Sequence, residues 1–249
     1  MSGTGRTSDG HGRLGSMLSG LAVAVGCVLF LGGFAWAAVV YKPYTVPTES
    51  MTPTVRAGDR VLAERVDGAE VRRGDVVVFK DPAWGDMPMV KRVVGIGGDL
   101  IACCEKNGRL TVNGKPIEEP YLQTKSLASV KNFSAEVPKG QLFLLGDERS
   151  GSLDSRVHLD DPGQGSVPRS AVRARVDAVA WPMNGMIERP QAFAVLPGGV
   201  SQPGPLKLQV GAVVAGVVLI VGGAAYGPIA ARSARNRREQ GGKVPAGAR

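Results

Sequence analysis

Two long stretches of the chain carry no charged side chain, Leu14 to Tyr41 and Leu208 to Ala231. A bilayer core is crossed by about 20 apolar residues in a helix, so each stretch is long enough to span it. Between them the pattern shortens. Val61-Leu-Ala, Val76-Val-Val-Phe79, Val90 to Val94, Leu110-Thr-Val112 and Leu142 to Leu145 are β-rich runs bounded by Gly, Asp or Pro. Asn113-Gly114 falls between two extended runs, which predicts a tight hairpin. No segment outside the two spans keeps a 3.6-residue period. The expected architecture is therefore all-β, built from antiparallel sheets and flanked by two transmembrane helices.

This pattern divides the chain into a tail (1–13), an anchor (14–41), a β-domain (42–190) with an inserted β subdomain at about 97–141, a Pro/Gly-rich linker (191–207), a second span (208–231) and a basic tail (232–249). The anchor could be mistaken for a cleavable signal peptide, because Ala35-Trp36-Ala37 resembles a small-x-small cleavage site. Signal-peptide apolar regions run only about 7–15 residues, so the longer run is read as an uncleaved anchor.

The net charge of +8 would ordinarily raise nucleic acid as a partner. Its location argues otherwise. Arg6 and Arg13 against Asp9, and Arg232, Arg235, Arg237, Arg238, Lys243 and Arg249 against Glu239, place most of the excess in the tails. Basic residues flanking membrane spans stay on the cytoplasmic side. Both termini are thus expected in the cytoplasm, with the middle of a multi-pass chain outside it.

Three cysteines are present. Cys27 lies in the first span, while Cys103 and Cys104 are adjacent on the exported side, where oxidation can occur. Neighbouring cysteines pair only in a strained ring, so no framework disulfide is expected. No Cys/His spacing suggests a metal, and no cofactor is implied.

The candidate chemistry lies in three segments. Pro47 and Pro53 stiffen the first around Ser50. On proline content alone this is a rigid linker. A nucleophilic serine needs a base. His11 falls on the cytoplasmic side, and His158 sits among charged residues in a loop, where histidines are usually solvated. A lysine three positions after Ser50 is ruled out, since Pro53 stands there. Lys91 is the alternative, because burial among apolar neighbours depresses a lysine pKa. As a strand, Met89 to Val93 places Lys91 on one face with Met89 and Val93 and turns Arg92 to the other. An edge lysine guarding against aggregation gives the same pattern. The third segment, Gly146 to Arg156, follows an apolar strand and is dense in hydroxyls, carboxylates and arginines. Such a segment is either a solvated turn or the buttress of a site.

Taken in order, these segments resemble the type I signal peptidases, serine–lysine proteases that remove signal peptides from exported proteins. Ser50-Met-Thr-Pro-Thr54 is similar to the family's nucleophile box, Arg73 to Phe79 to its second, Lys91-Arg-Val-Val-Gly95 to its lysine box, and Gly146 to Arg156 to its last. The second span is similar to that of certain high-GC Gram-positive members. The resemblance implies a signal-peptidase-like catalytic domain in the cell membrane, with preprotein signal peptides and the bilayer as partners and the export translocon nearby. It implies Ser50 as nucleophile and Lys91 as general base. The oxyanion hole would comprise the Ser50 N–H and the Thr48 hydroxyl. Ser152 would orient the Lys91 amine, and Asp154 would pair with Arg92 and Arg156; Asp147 belongs to the same supporting set. Glu148 and Gly97 depart from the family's usual Asn and Pro, and the chain after Arg156 continues differently.

Two rivals share parts of this pattern. A self-cleaving repressor-type serine–lysine protease is cytosolic, which two spans oppose. A catalytically inactive β module acting as an assembly factor would have lost Ser50 or Lys91, and both are present.

Overall fold

The structure, a computed structural model, describes residues 10–104, 108–123 and 127–241. Two units are distinct, one formed by the terminal helices and one by residues 40–204. The helical unit comprises α1 (Gly10–Val40) and α2 (Leu206–Gly241). Each contains a stretch long and apolar enough to cross a membrane, Gly15–Val40 and Leu206–Pro228. The pair is seamed by glycines. A Cβ on Gly26 would meet the Gly216 carbonyl at 2.8 Å, and one on Gly223 would meet the Ser19 carbonyl at 3.0 Å. The Ser19 hydroxyl donates to the Gly223 carbonyl at 2.6 Å. Close backbone approach of this kind is how helices associate where water supplies no driving force. Part of each basic tail is helical, and residues 1–9 and 242–249 lie outside the described residues.

The second unit is all-β, as the patterning predicts. Its strands are β1 (Tyr41–Thr45), β2 (Arg60–Glu64), β3 (Val76–Phe79), β4 (Met89–Ile96), β5 (Leu100–Cys103), β6 (Thr111–Val112), β7 (Lys115–Pro116), β8 (Phe133–Glu136), β9 (Gln141–Leu145), β10 (Val167–Pro168), β11 (Val172–Trp181) and β12 (Gly185–Met186). One antiparallel sheet runs β1-β2-β11-β3-β4-β9-β10 with β12 on β11; a smaller sheet runs β7-β6-β5-β8. The β6–β7 hairpin turns on Asn113 and Gly114, both at positive φ.

The Val76–Phe79 run is continuous because both of its faces are buried. Val76 and Val78 pack with Val46, Met51 and Val176, while Val77 and Phe79 pack with Val93, Leu142 and Leu144. A third cluster, around Ile101, Leu110 and Phe143, joins the two sheets. Phe193 and Leu196 belong to it, so the segment from 191 to 204 is packed rather than slack. Arg73 donates to the Pro197 carbonyl at 2.6 Å, and Arg189 pairs with Asp177 at 2.6 Å.

Cys103 and Cys104 are joined to each other by a disulfide. Because the bond links neighbours at the end of β5, it closes no length of chain and staples no separate elements.

Candidate active site

Ser50 sits in the loop between β1 and β2, and the hydrophobic residues around it set its place. Met51 and Val55 are fully buried in the core beneath the loop. Turn hydrogen bonds close the loop, from Thr52 N to the Glu49 carbonyl and from Val55 N to the Met51 carbonyl, both 2.9 Å. With its neighbour driven into the core, the serine hydroxyl is left at the surface of a cavity.

Lys91 comes from β4, opposite Val77 of β3. Its Nζ donates to Ser50 Oγ at 2.8 Å and to its neighbour's carbonyl, Val90 O, at 3.2 Å. The residue is 4% exposed. Burial pushes its pKa down to about 8, against the upward pull of the Asp154 and Asp147 carboxylates. A fixed amine beside a hydroxyl, poised to lose its charge near neutral pH, can accept a proton. Thr48 Oγ1 lies 3.2 Å from Ser50 Oγ.

Buried charged groups behind Ser50 and Lys91 lock these parts together. The Arg92 guanidinium meets Asp147 through Nε at 2.9 Å and Nη2 at 2.7 Å, and Nη1 donates to the Gly74 carbonyl at 2.8 Å. Both side chains are buried, at 1% and 0% exposure. Asp147 also accepts from Thr54 Oγ1 at 2.5 Å, so the nucleophile loop, β4 and the turn after β9 share one carboxylate. Glu148 N donates to the Ser50 carbonyl at 3.1 Å. Gly146 permits this approach: a Cβ there would collide with Ser152 Oγ and the Ser50 carbonyl.

Not every expected partnership forms. Asp154 pairs with Arg156 at 2.7 Å and accepts from Gly146 N at 3.0 Å, but Arg92 is held by Asp147 instead. Asp147 stands two residues after Leu145, the end of β9 that pairs with Arg92, so it reaches the guanidinium first. The Ser152 hydroxyl is buried beside Gly146 without a hydrogen-bond partner, and the Lys91 amine is directed to Ser50. His158 bonds Asp161 through Nδ1 at 2.8 Å and stacks on Trp84. The Thr54 tie was missed in the sequence; its hydroxyl two residues beyond Thr52 carried no separate signal. Among the described residues, no group of three or more His, Cys, Asp or Glu is arranged to hold a metal ion.

The cavity over the dyad has a volume of about 450 Å³ and is walled by Val46, Pro47, Trp84, Met87, Met89 and Leu153. An apolar cleft with a hydroxyl–amine pair on its floor suits hydrolysis of an extended, largely apolar peptide. Residues 17–181 match the family described as signal peptidase, peptidase S26, and the chain belongs to that family of peptidases.

Among its relatives, a probable signal peptidase I of Mycobacterium leprae is 32% identical over 201 residues, covering 57% of this chain and 69% of that one. Signal peptidase I U of Bacillus subtilis is 35% identical over 138 residues, covering 52% and 72%. Signal peptidase IB of Staphylococcus aureus is 33% identical over 184 residues, covering 66% and 87%. A crystal structure of a signal peptidase I from Enterococcus faecalis aligns with 42% of this chain and 94% of that one, at 24% identity and a TM-score of 0.34.

Proposed function

We propose that this protein is a membrane-bound endopeptidase that removes N-terminal signal peptides from exported preproteins, with Ser50 as nucleophile and Lys91 as general base. One observation carries the reading: the Lys91 amine stands 2.8 Å from Ser50 Oγ, with burial pulling its pKa down to about 8. Ser50 Oγ attacks the scissile carbonyl as its proton passes to neutral Lys91. The ammonium returns that proton to the leaving amine, which departs as the new N-terminus of the mature protein. Water, losing a proton to Lys91, then opens the acyl ester, and the Lys91 ammonium returns that proton to the departing Ser50 Oγ. The oxyanion is met by the Ser50 N–H and the Thr48 hydroxyl, a device worth about 3 kcal/mol per donor.

Arg92 and Asp147, with Thr54, fix the nucleophile loop against β4, and Asp154 with Arg156 fixes the turn that borders it. In this reading Gly15–Val40 and Leu206–Pro228 anchor the enzyme in the cell membrane, with both basic tails cytoplasmic and the β-unit outside. The apolar substrate and the proximity of its export channel follow from that placement.

The test incubates purified full-length protein with a preprotein and sequences the N-terminus of the product. Ser50→Ala and Lys91→Ala each abolish cleavage, and the double variant is no worse than either single, because residues acting as one unit are not additive. Full activity in Lys91→Ala overturns the mechanism.

A further inference from the structure

Trp84 closes the single helical turn Pro82–Trp84 between β3 and β4. Asp81 caps that turn by accepting from Ala83 N at 2.8 Å, and Asp86 N closes back on the Asp81 carbonyl at 3.0 Å. The indole meets Phe79 edge-on, with ring centroids 5.3 Å apart. On its face it stacks against the imidazole of His158, centroids 4.7 Å apart and planes inclined by 16°. His158 is itself fixed. Its Nδ1 lies 2.8 Å from Asp161 Oδ2, and it ends the turn Ser155–His158, which Asp154 caps. Two ring contacts of this kind hold an indole in one orientation.

The rest of Trp84 lines the cavity over Ser50 and Lys91, together with Met87, Met89 and Leu153. Met87 and Leu153 are 68% and 72% exposed, so the wall presents apolar surface to whatever enters the cavity. The strand register fixes how far this wall stands from the chemistry. Phe79, which supports Trp84, pairs with Met89, whereas Val77 pairs with Lys91. The wall therefore begins at Met89, two residues along β4 from the base and about 7 Å from it, and Met87, two residues further back in the chain, extends it away from the base.

We propose that Trp84 is a specificity-determining residue, and His158 the positioning residue that holds it. Resting on the function proposed above, the wall receives an apolar side chain of the signal peptide ahead of the scissile bond. Signal peptides end in a small-x-small sequence preceded by an apolar run. The small residues occupy the positions next to the bond, so the first bulky apolar side chains that reach the wall are those of the fourth and fifth residues before it. His158 lies in the stretch after Arg156 where the sequence departs from the family's usual pattern, so this support for the wall is a property of the present chain.

The test uses purified full-length protein in detergent and two peptide substrates, identical except for Leu or Ser at the fourth and fifth residues before the cleavage site. In the unaltered enzyme the Leu peptide has a kcat/KM about tenfold higher, the factor that partial burial of one such side chain supplies. Trp84→Ala reduces the ratio to less than about twofold, with the loss in KM rather than kcat, and Trp84→Phe keeps an intermediate ratio. His158→Ala lowers the ratio partway, His158→Phe restores it by stacking, and the double variant Trp84→Ala/His158→Ala matches Trp84→Ala alone. An undiminished ratio in Trp84→Ala overturns the assignment of the wall, and additive losses in the double variant overturn the positioning role. If the unaltered enzyme cleaves neither peptide, the proposed function fails and takes this inference with it.

Discussion

Lys91 carries an energetic cost that the proposed role of general base requires. A lysine whose folded-state pKa is about 8 rather than the ordinary 10.5 is disfavoured in its charged form by burial. Below pH 8 the folded protein must hold that charge in an apolar setting, and stability is lowered by about 3 kcal/mol. Between pH 8 and 10.5 the unfolded chain binds the proton and the folded one does not, so stability rises with pH across that window. Lys91→Met therefore stabilises the protein at pH 7, and the gain shrinks towards zero at pH 10.5. Thermal unfolding of both proteins in detergent at the two pH values checks this; an equal gain at both would show that packing, not charge, is responsible. At this scale much of the candidate site was legible beforehand. Ser50 between two prolines and Lys91 within an apolar run stood out because their surroundings are unusual for those residue types. The Arg92–Asp147 pair was not legible, because several carboxylates in one polar segment are equally placed by sequence, and only the end of β9 determines which one arrives.

At the scale of elements, the Arg92–Asp147 pair ties β4, the turn after β9 and the nucleophile loop at one point. Removing one member of a buried pair leaves the other uncompensated, at a cost of about 3–5 kcal/mol. Asp147→Ala is expected to lose that much in chemical denaturation and to lose activity even where it remains folded, since Thr54 also loses its acceptor. A fully stable, fully active variant would remove the pair from the account. The strands that patterning revealed were short β-rich runs bounded by Gly, Asp or Pro. β11 escaped notice although it lies between β2 and β3. Its Arg175 and Asp177 are buried, and they break the apolar pattern; their partners Glu64 and Tyr41 lie far away in sequence, and only Arg189 is near. The stretch 191–207 reads as a linker for a similar reason. Its Pro and Gly content is that of a tether, while two apolar residues, Phe193 and Leu196, dock it to the core.

For the whole molecule, the distribution of charge predicts topology. Basic residues cluster outside the two apolar helices and the middle of the chain is nearly balanced. A reporter fused after Arg249 is expected to be active only if it functions in the cytoplasm, and protease added outside the cell should cut the β-unit and spare both tails. An externally accessible C-terminus would mean that Leu206–Pro228 does not cross. The catalytic claim is sharper and rests on one proton. In the proposed mechanism only neutral Lys91 can accept it from Ser50, so the activity of the free enzyme must follow the titration of that amine. The most direct measurement is kcat/KM against pH for the purified full-length protein with a signal-peptide substrate, alongside His158→Ala. An acidic limb near pH 8 that stays in place in His158→Ala is the predicted result. A limb near 6.5, in the ordinary histidine range, that vanishes in His158→Ala would contradict it.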